Sequence, residues 1–178
     1  MSYKGRYKPK NPKKYRGDPT GIIYRSLLER SYMVKLDENP NVLEWQSEEI
    51  IVPYISPIDN AWHRYFPDFW VRFIDIDDNN IIKQALIELK PKSQCKEPKV
   101  QSRKTVKYVR EVTTWLVNQA KWDAAIEWCK KNNCQFQVLT EEDIKPYGGH
   151  KYSNGNKQRK RTNTSTKVRT RRPKTPTR

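Results

Sequence analysis

The order of apolar patterns along this chain predicts an α/β fold, a sandwich of helices around a small mixed β-sheet. Three features lead there. Residues 21–40 carry apolar side chains at helical spacing, segments 42–55, 66–77 and 83–92 read as strands, and a second helical pattern from Thr105 is followed by a strand at 136–139. At 178 residues the chain is long enough for one domain with a real core and short for two.

Charge divides the chain further. The formal net charge is +16, yet residues 1–16 hold seven Lys/Arg and 151–178 hold eleven, with no acid in either. The stretch 17–150 keeps 18 basic residues against all 20 acidic ones, so it reads as a near-neutral domain between two basic tails. Such tails bury too little apolar surface to order themselves and are expected to be disordered. Their composition suits a polyanion partner through counterion release, or simple solubilisation, and specifies no reaction. Cys95, Cys129 and Cys134 make no C-x-x-C pair and no zinc spacing, which fits reduced thiols. The N-terminus lacks an apolar signal region, and no stretch approaches membrane-spanning length, so a secreted or membrane-embedded protein is not expected.

Taken in order, Asp18-Pro19 predicts a helix start, with Asp as N-cap and Pro in the first turn. Ile23, Leu27, Leu28 and Tyr32 continue that helix, and Asn39-Pro40 ends it. VLEWQSEEIIVPYI predicts a strand running into a Pro-containing bend. FPDFWVRFIDID alternates as a half-buried strand, Asp77 to Asn80 form a turn, and KQALIELKPK returns as a second strand halted by Pro91. Val106, Val109, Thr113, Leu116, Val117, Ala120, Ala124 and Trp128 predict one long helix, or two broken near Thr113-Thr114. FQVL is a strand, Thr140 to Asp143 resembles a cap for a short closing helix, and Tyr147-Gly148-Gly149 marks the domain's end.

The hairpin carries the chemistry. Asp68 follows Pro67 on one strand, and Glu88-Leu89-Lys90 lies on the next, where residues two apart share a face. Two carboxylates and one ammonium then gather in a small space. Asp68 and Glu88 could hold Mg²⁺ with waters and a phosphate oxygen, the backbone carbonyl of Leu89 being a further ligand. Lys90 would orient the attacking water and stabilise transition-state oxygens. Without a metal the two acids repel, and one should titrate high. The alternative is a solvated strand face with a surface ion pair. Glu29, between apolar residues of the first helix, and Lys121, in the second, are further candidates; an Arg25–Glu29 pair and a snorkelling lysine are their plainer readings.

The helix bearing Glu29, with FPDFWV, LIELKPK and NQAKWDAAIEWCKKNNCQFQVLTEEDI, resembles the TnsA-like branch of PD-(D/E)XK endonucleases over roughly residues 17–147. Within that branch it is most similar to the head-completion nucleases of contractile-tailed phages. The resemblance implies a restriction-endonuclease-like fold, Mg²⁺-dependent DNA cleavage (with Mn²⁺ as a substitute), and action after DNA packaging and before tails join heads. It also implies phage head or neck proteins as partners, no membrane or small-molecule substrate, and work in the host cytoplasm, with retention in the virion open. Asp68 and Glu88 would be metal ligands, Lys90 the catalytic lysine, Glu29 the helix-borne acid, and Lys121, beside Gln119, an auxiliary group. Two rival readings are a neck docking protein that keeps the nuclease fold, and a transposition nuclease.

Other residues have simpler expectations. Lys92, Lys96, Lys99, Arg103, Lys104 and Lys107 follow the E-x-K strand and would rim the site along the DNA path. His63 is expected to touch phosphate or nothing, and His150 has no neighbours of its own kind. Asp75, Asp77 and Asp78 belong to the turn, and Glu48-Glu49 read as a solvated pair unless one faces the site. Trp62 is the tryptophan best suited to base stacking; the other five suit core or interface.

Overall fold

In the computed structural model, which describes residues 3–144, the elements run as follows. Strand β1 (Gly5–Arg6) and a 3-10 turn (Pro12–Lys14) precede β2 (Ile23–Tyr24), and helix α1 (Leu27–Glu38) leads to β3 (Val42–Ser47). A ribbon of β4 (Val52–Ile55) and β5 (Trp62–Tyr65) comes next, then the hairpin of β6 (Phe69–Asp75) and β7 (Ile81–Leu89). A second 3-10 turn (Lys92–Gln94), helix α2 (Val106–Lys131) and β8 (Gln135–Leu139) complete it.

The main sheet has the order β3-β6-β7-β8. Its first three strands are antiparallel, and β8 joins β7 in parallel, so the sheet is mixed. Helices cover both faces. Alternation along β7 assigns the faces: Ala85, Ile87 and Leu89 pack with Tyr32, Met33 and Leu36 of α1, while Leu86 packs with Ala125 and Cys129 of α2 and with Val52, Tyr54 and Tyr65 of the ribbon. The α/β sandwich predicted from element order is therefore the observed one, and its mixed sheet between helices is the arrangement of a restriction-endonuclease-like nuclease fold.

The hairpin turn forms where Asp77 to Asn80 predict it. Asn79 and Asn80 take positive φ of 52° and 59°, a left-handed conformation that asparagine tolerates better than most residues. Lys83 pairs with Asp75 at 2.8 Å and Asp78 at 2.7 Å, so these acids belong to the turn. Helix α2 is one unbroken element whose N-cap, Thr105, accepts from the Tyr108 N–H. Its packed face is the later half, Val117, Ala120, Ala124, Ala125 and Trp128; Val106, Val109 and Leu116 of the predicted apolar stripe are exposed.

Several expectations change: the predicted strand 42–55 is two strands, β3 and β4, in separate sheets. Helix α1 starts eight residues after Pro19, at Leu27, because Ser26 supplies the N-cap: its Oγ accepts from Glu29 N–H at 3.1 Å. Asp18 instead closes a tight turn, accepting from Thr20 N–H at 2.9 Å. The Thr140–Asp143 pairing forms a turn rather than a closing helix among the described residues. The disordered N-terminal arm is the largest correction. Residues 3–16 lie against the domain: β1 pairs with β2, Tyr7 and Tyr15 flank Trp45 edge-on at 6.0 and 4.8 Å, and Arg16 N–H donates to the Trp45 carbonyl. The anchor is Asp37, fully buried, whose carboxylate accepts from Lys10 N–H at 2.6 Å, Asn11 N–H at 3.0 Å and Tyr7 hydroxyl at 3.2 Å. Net charge is a poor guide here because Tyr7, Pro9 and Tyr15 are buried between the charged residues, and Lys14 itself donates to the Asp37 and Asn39 carbonyls. The tail 151–178, and 145–150 of the predicted domain, lie outside the described residues.

Among the described residues no helix is long and apolar enough to cross a membrane.

Replacing Asp37 by Ala leaves two part-buried backbone donors and a buried hydroxyl without their acceptor, a loss of roughly 2–4 kcal/mol. Thermal denaturation is expected to show a fall in Tm of about 5–15 °C. Deletion of residues 1–16 should lower it comparably, whereas a disordered arm would leave Tm unchanged.

Candidate active site

The register of β6 against β7 builds the site. Phe69 lies opposite Ile87 and Trp70 opposite Leu86. One step beyond Phe69, Asp68 stands across from Glu88, on the face that carries Leu86, Trp70 and the ribbon. Asp68 sits in the bend just before β6 rather than within it, and Lys90 is the first residue past β7.

The contacts are short and directed. Asp68 Oδ2 accepts from Leu89 N–H at 2.7 Å. Glu88 is 4% exposed, and its two oxygens have different donors: Lys90 Nζ at 2.6 Å on Oε1 and the Tyr65 hydroxyl at 2.6 Å on Oε2. The E-x-K spacing thus brings both side chains to one point, as two residues on one strand face must be. An extended residue presents its N–H and C=O on one edge, so the Leu89 carbonyl lies on the side of β7 that faces Asp68.

Charge balance inside this cluster is unfavourable to two ionised acids. Burial, and then the Glu88 carboxylate, push Asp68 up to about 7; Leu89 N–H and Lys90 pull it back, and Glu29 adds to the rise. The spacing of Asp68 and Glu88 predicts this high titration. Lys90 is desolvated, which works against its charge, but Glu88 and Asp68 outweigh that and raise it. Lys121 is lowered, chiefly by burial and further by Lys90, while Glu88 and Asp68 oppose. Its ammonium stands over the rings of Tyr65 and Tyr54, at 5.5 and 5.7 Å from their centroids.

Glu29 stands in the first turn of α1, not in the middle of the longer helix predicted from Asp18-Pro19. It completes a capping box, accepting from Ser26 Oγ at 2.9 Å and from Arg25 N–H at 2.6 Å. The Arg25 side chain pairs with Glu48 instead. Glu29 is close enough to act on Asp68 and Glu48 electrostatically.

Two further residues join the cluster: Glu48, from the pair whose facing the sequence leaves open, and Tyr65, which the sequence does not single out. Glu48 follows Ser47, which lies opposite Phe69, and its N–H donates to the Asp68 carbonyl at 3.1 Å. Glu48, Asp68 and Glu88 therefore end three neighbouring strands side by side. Burial raises Glu48, with Glu29 and Glu88 adding and Arg25 opposing. A positive φ of 55° at Glu48 breaks the strand alternation that would have signalled its side. Tyr65 lies in WHRY, which has no apolar alternation to mark an inward tyrosine.

The remaining candidates divide plainly. Lys96, Lys99, Arg103, Lys104 and Lys107 are exposed along the segment after Lys90. Lys92 is paired with Glu142 at 2.6 Å in a solvent-exposed contact worth little on its own. His63 pairs with Asp59 at 2.8 Å, Trp62 is 71% exposed on the outer face of the ribbon, and Trp45 and Trp70 are core. His150 lies outside the described residues. The three cysteines are free thiols.

Among the described residues no three His, Cys, Asp or Glu side chains form a preassembled metal cage. The donor set at this site is two carboxylates and a backbone carbonyl.

Comparison with known proteins gives this geometry a context. Residues 39–141 match the family described as TnsA-like endonuclease N terminal. The chain is also 36% identical over 152 residues to the head completion nuclease of Enterobacteria phage T4, covering 83% of this chain and 97% of that protein.

The raised Asp68 makes the metal-free protein pH-sensitive. A carboxyl held near 7 in the fold against an ordinary 3.8 stabilises fully below its unfolded value and loses that contribution as pH climbs to about 7. Melting curves of metal-free protein between pH 4.5 and 7.5 should therefore show wild type losing roughly 2–4 kcal/mol relative to Asp68→Asn as pH rises. Parallel curves for the two proteins would contradict the assignment of Asp68 as the raised group.

Proposed function

The chain belongs to the TnsA-like endonuclease family and, within it, to the phage head-completion nucleases, and from this we propose that it is a PD-(D/E)XK-type, Mg²⁺-dependent hydrolase of DNA phosphodiester bonds. One observation carries the assignment of the centre: Asp68 and Glu88 face each other across β6 and β7, with the Lys90 ammonium 2.6 Å from Glu88.

The donor set suits the metal. Mg²⁺ is typically held by one or two carboxylates together with waters and substrate phosphate, so a three-carboxylate cage is not required. Asp68, Glu88 and the Leu89 carbonyl would hold it, with Mn²⁺ as a substitute. Bound there, the ion would supply Lewis-acid stabilisation at the scissile phosphate and acidify the attacking water.

The chain's own groups do the rest. Asp68 must be ionised to serve as a ligand, so loading near neutral pH is coupled to release of its proton. Lys90, kept charged by Glu88 and Asp68, offers hydrogen bonds to the phosphate oxygens and to the nucleophilic water. Glu29, fixed by its capping box, holds negative charge near Asp68 and closes the acidic side of the site. Lys121, partly desolvated beside Glu88, is placed to neutralise charge on the phosphate. Lys96, Lys99, Arg103, Lys104 and Lys107, with Lys92 when it leaves Glu142, guide the DNA backbone towards that point. The basic segment 151–178 adds non-specific affinity through phosphate contacts.

In its biological setting the enzyme trims or cuts DNA after packaging and before head and tail join, in contact with head or neck proteins in the host cytoplasm. The T4 relative's name supports the role in head completion.

Plasmid nicking tests the chemistry. Mg²⁺ should support it and chelation should abolish it. Glu88→Ala and Lys90→Ala should each lower the rate by about 10³-fold or more. Equal rates in wild type and both variants would remove the assignment. Replacing Lys99, Arg103 and Lys104 together by Gln should weaken DNA binding at low salt. The slope of log K against log salt should fall by roughly 2–3 units. An unchanged slope would place the DNA path elsewhere.

A further inference from the structure

We infer that Tyr65 is a positioning residue for the hydrolytic centre, its hydroxyl fixing the direction in which Glu88 presents its carboxylate. This rests on the reading of Asp68 and Glu88 as the metal-binding pair. Tyr65 does not belong to the main sheet. It lies on β5 of the separate ribbon, opposite Val52, and turns inward between α2 and the end of β7. From there its hydroxyl reaches Glu88 Oε2 at 2.6 Å across 23 residues of sequence, in a buried contact.

The terminal torsion of a glutamate is soft, with broad, roughly two-fold preferences. A single anchor, Lys90 on Oε1, would leave that carboxylate free to swing about the ion pair. A second donor on the other oxygen holds the carboxylate plane. Each oxygen keeps a further lone pair, so holding Glu88 does not exhaust its capacity as a ligand. The phenol suits this task because it is a neutral hydroxyl donor that brings no further charge to the cluster. The same ring lies under the Lys121 ammonium, so one residue of the ribbon touches both Glu88 and the candidate lysine of α2. A plain core role would need the ring alone.

Tyr65→Phe separates the two roles, because it keeps the ring and removes the hydroxyl. Mn²⁺ affinity is measured on the full chain without DNA, by paramagnetic resonance of free Mn²⁺. Wild type, Tyr65→Phe and Tyr32→Phe are compared, the last removing a buried hydroxyl on the opposite face of the sheet. Tyr65→Phe should raise the Mn²⁺ Kd about 10–100-fold, as loss of a ligand's hydrogen-bonding partner does. Its nicking should fall in kcat with little change in KM for DNA. Tyr32→Phe should leave the Mn²⁺ Kd within about twofold. Tyr65→Phe within twofold of wild type would overturn the inference, as would an equal loss in Tyr32→Phe. No Mn²⁺ binding by wild type would overturn the metal-site reading, and this inference with it.

Discussion

Phe69 opposite Ile87 and Trp70 opposite Leu86 set the register of the two central strands, and continuing it by one residue places Asp68 across from Glu88. A slip of one position would send Glu88 to the face of α1 and Leu89 to the site, since neighbours along a strand alternate faces. The hairpin turn at Asp77 to Asn80, with Lys83 bridging Asp75 and Asp78, holds that register from one end. Trp70 and Leu86, both buried beneath α2 and the ribbon, hold it from the middle. The candidate site is thus a consequence of strand pairing before it is a matter of individual side chains.

What the register assembles is electrostatically uncomfortable. Two acids meet in a partly dry corner, with Glu48 and Glu29 adding to the negative field. Lys90 and Tyr65 satisfy Glu88, whereas Asp68 receives a backbone N–H and a distant share of Lys90. Such a corner detracts from stability, and the rest of the fold offsets it. The aromatic cluster around Trp45 and Phe69, together with the Asp37 anchor that ties residues 3–16 to α1, lies on the opposite face from Glu88. Stability and chemistry are therefore partitioned between the two faces of one sheet. A cation at Asp68 and Glu88 would relieve the repulsion that the fold otherwise tolerates.

Much of this could be read from the residues alone, and the parts that could not have physical reasons. The β6–β7 hairpin, the E-x-K pair and α2 are carried by strong local signals: period-two alternation, an Asp-Asn turn and a long helical repeat. The start of α1 was misplaced because Asp18-Pro19 makes an attractive cap, while the capping box at Ser26 and Glu29 lies inside an apolar run. The ribbon strand β5 is invisible to periodicity, because Trp62, His63 and Arg64 are all exposed and only Tyr65 turns inward. The side on which Glu48 faces stays open in the sequence because its own left-handed backbone interrupts alternation. The N-terminal arm looked disordered because composition counts its lysines and not the backbone donors that Asp37 collects. The expected roles of Glu29 and Lys121 lean on the family resemblance, whereas those of Asp68, Glu88 and Lys90 stand on spacing and chemistry.

Crystals of the full chain grown with Mn²⁺ and measured at a wavelength where manganese scatters anomalously test the metal centre most directly. The expected result is an anomalous peak between Asp68 and Glu88, about 2.1 Å from an oxygen of each and near the Leu89 carbonyl. A peak elsewhere, or none at a Mn²⁺ concentration that supports nicking, would contradict the assignment of this cluster as the hydrolytic site.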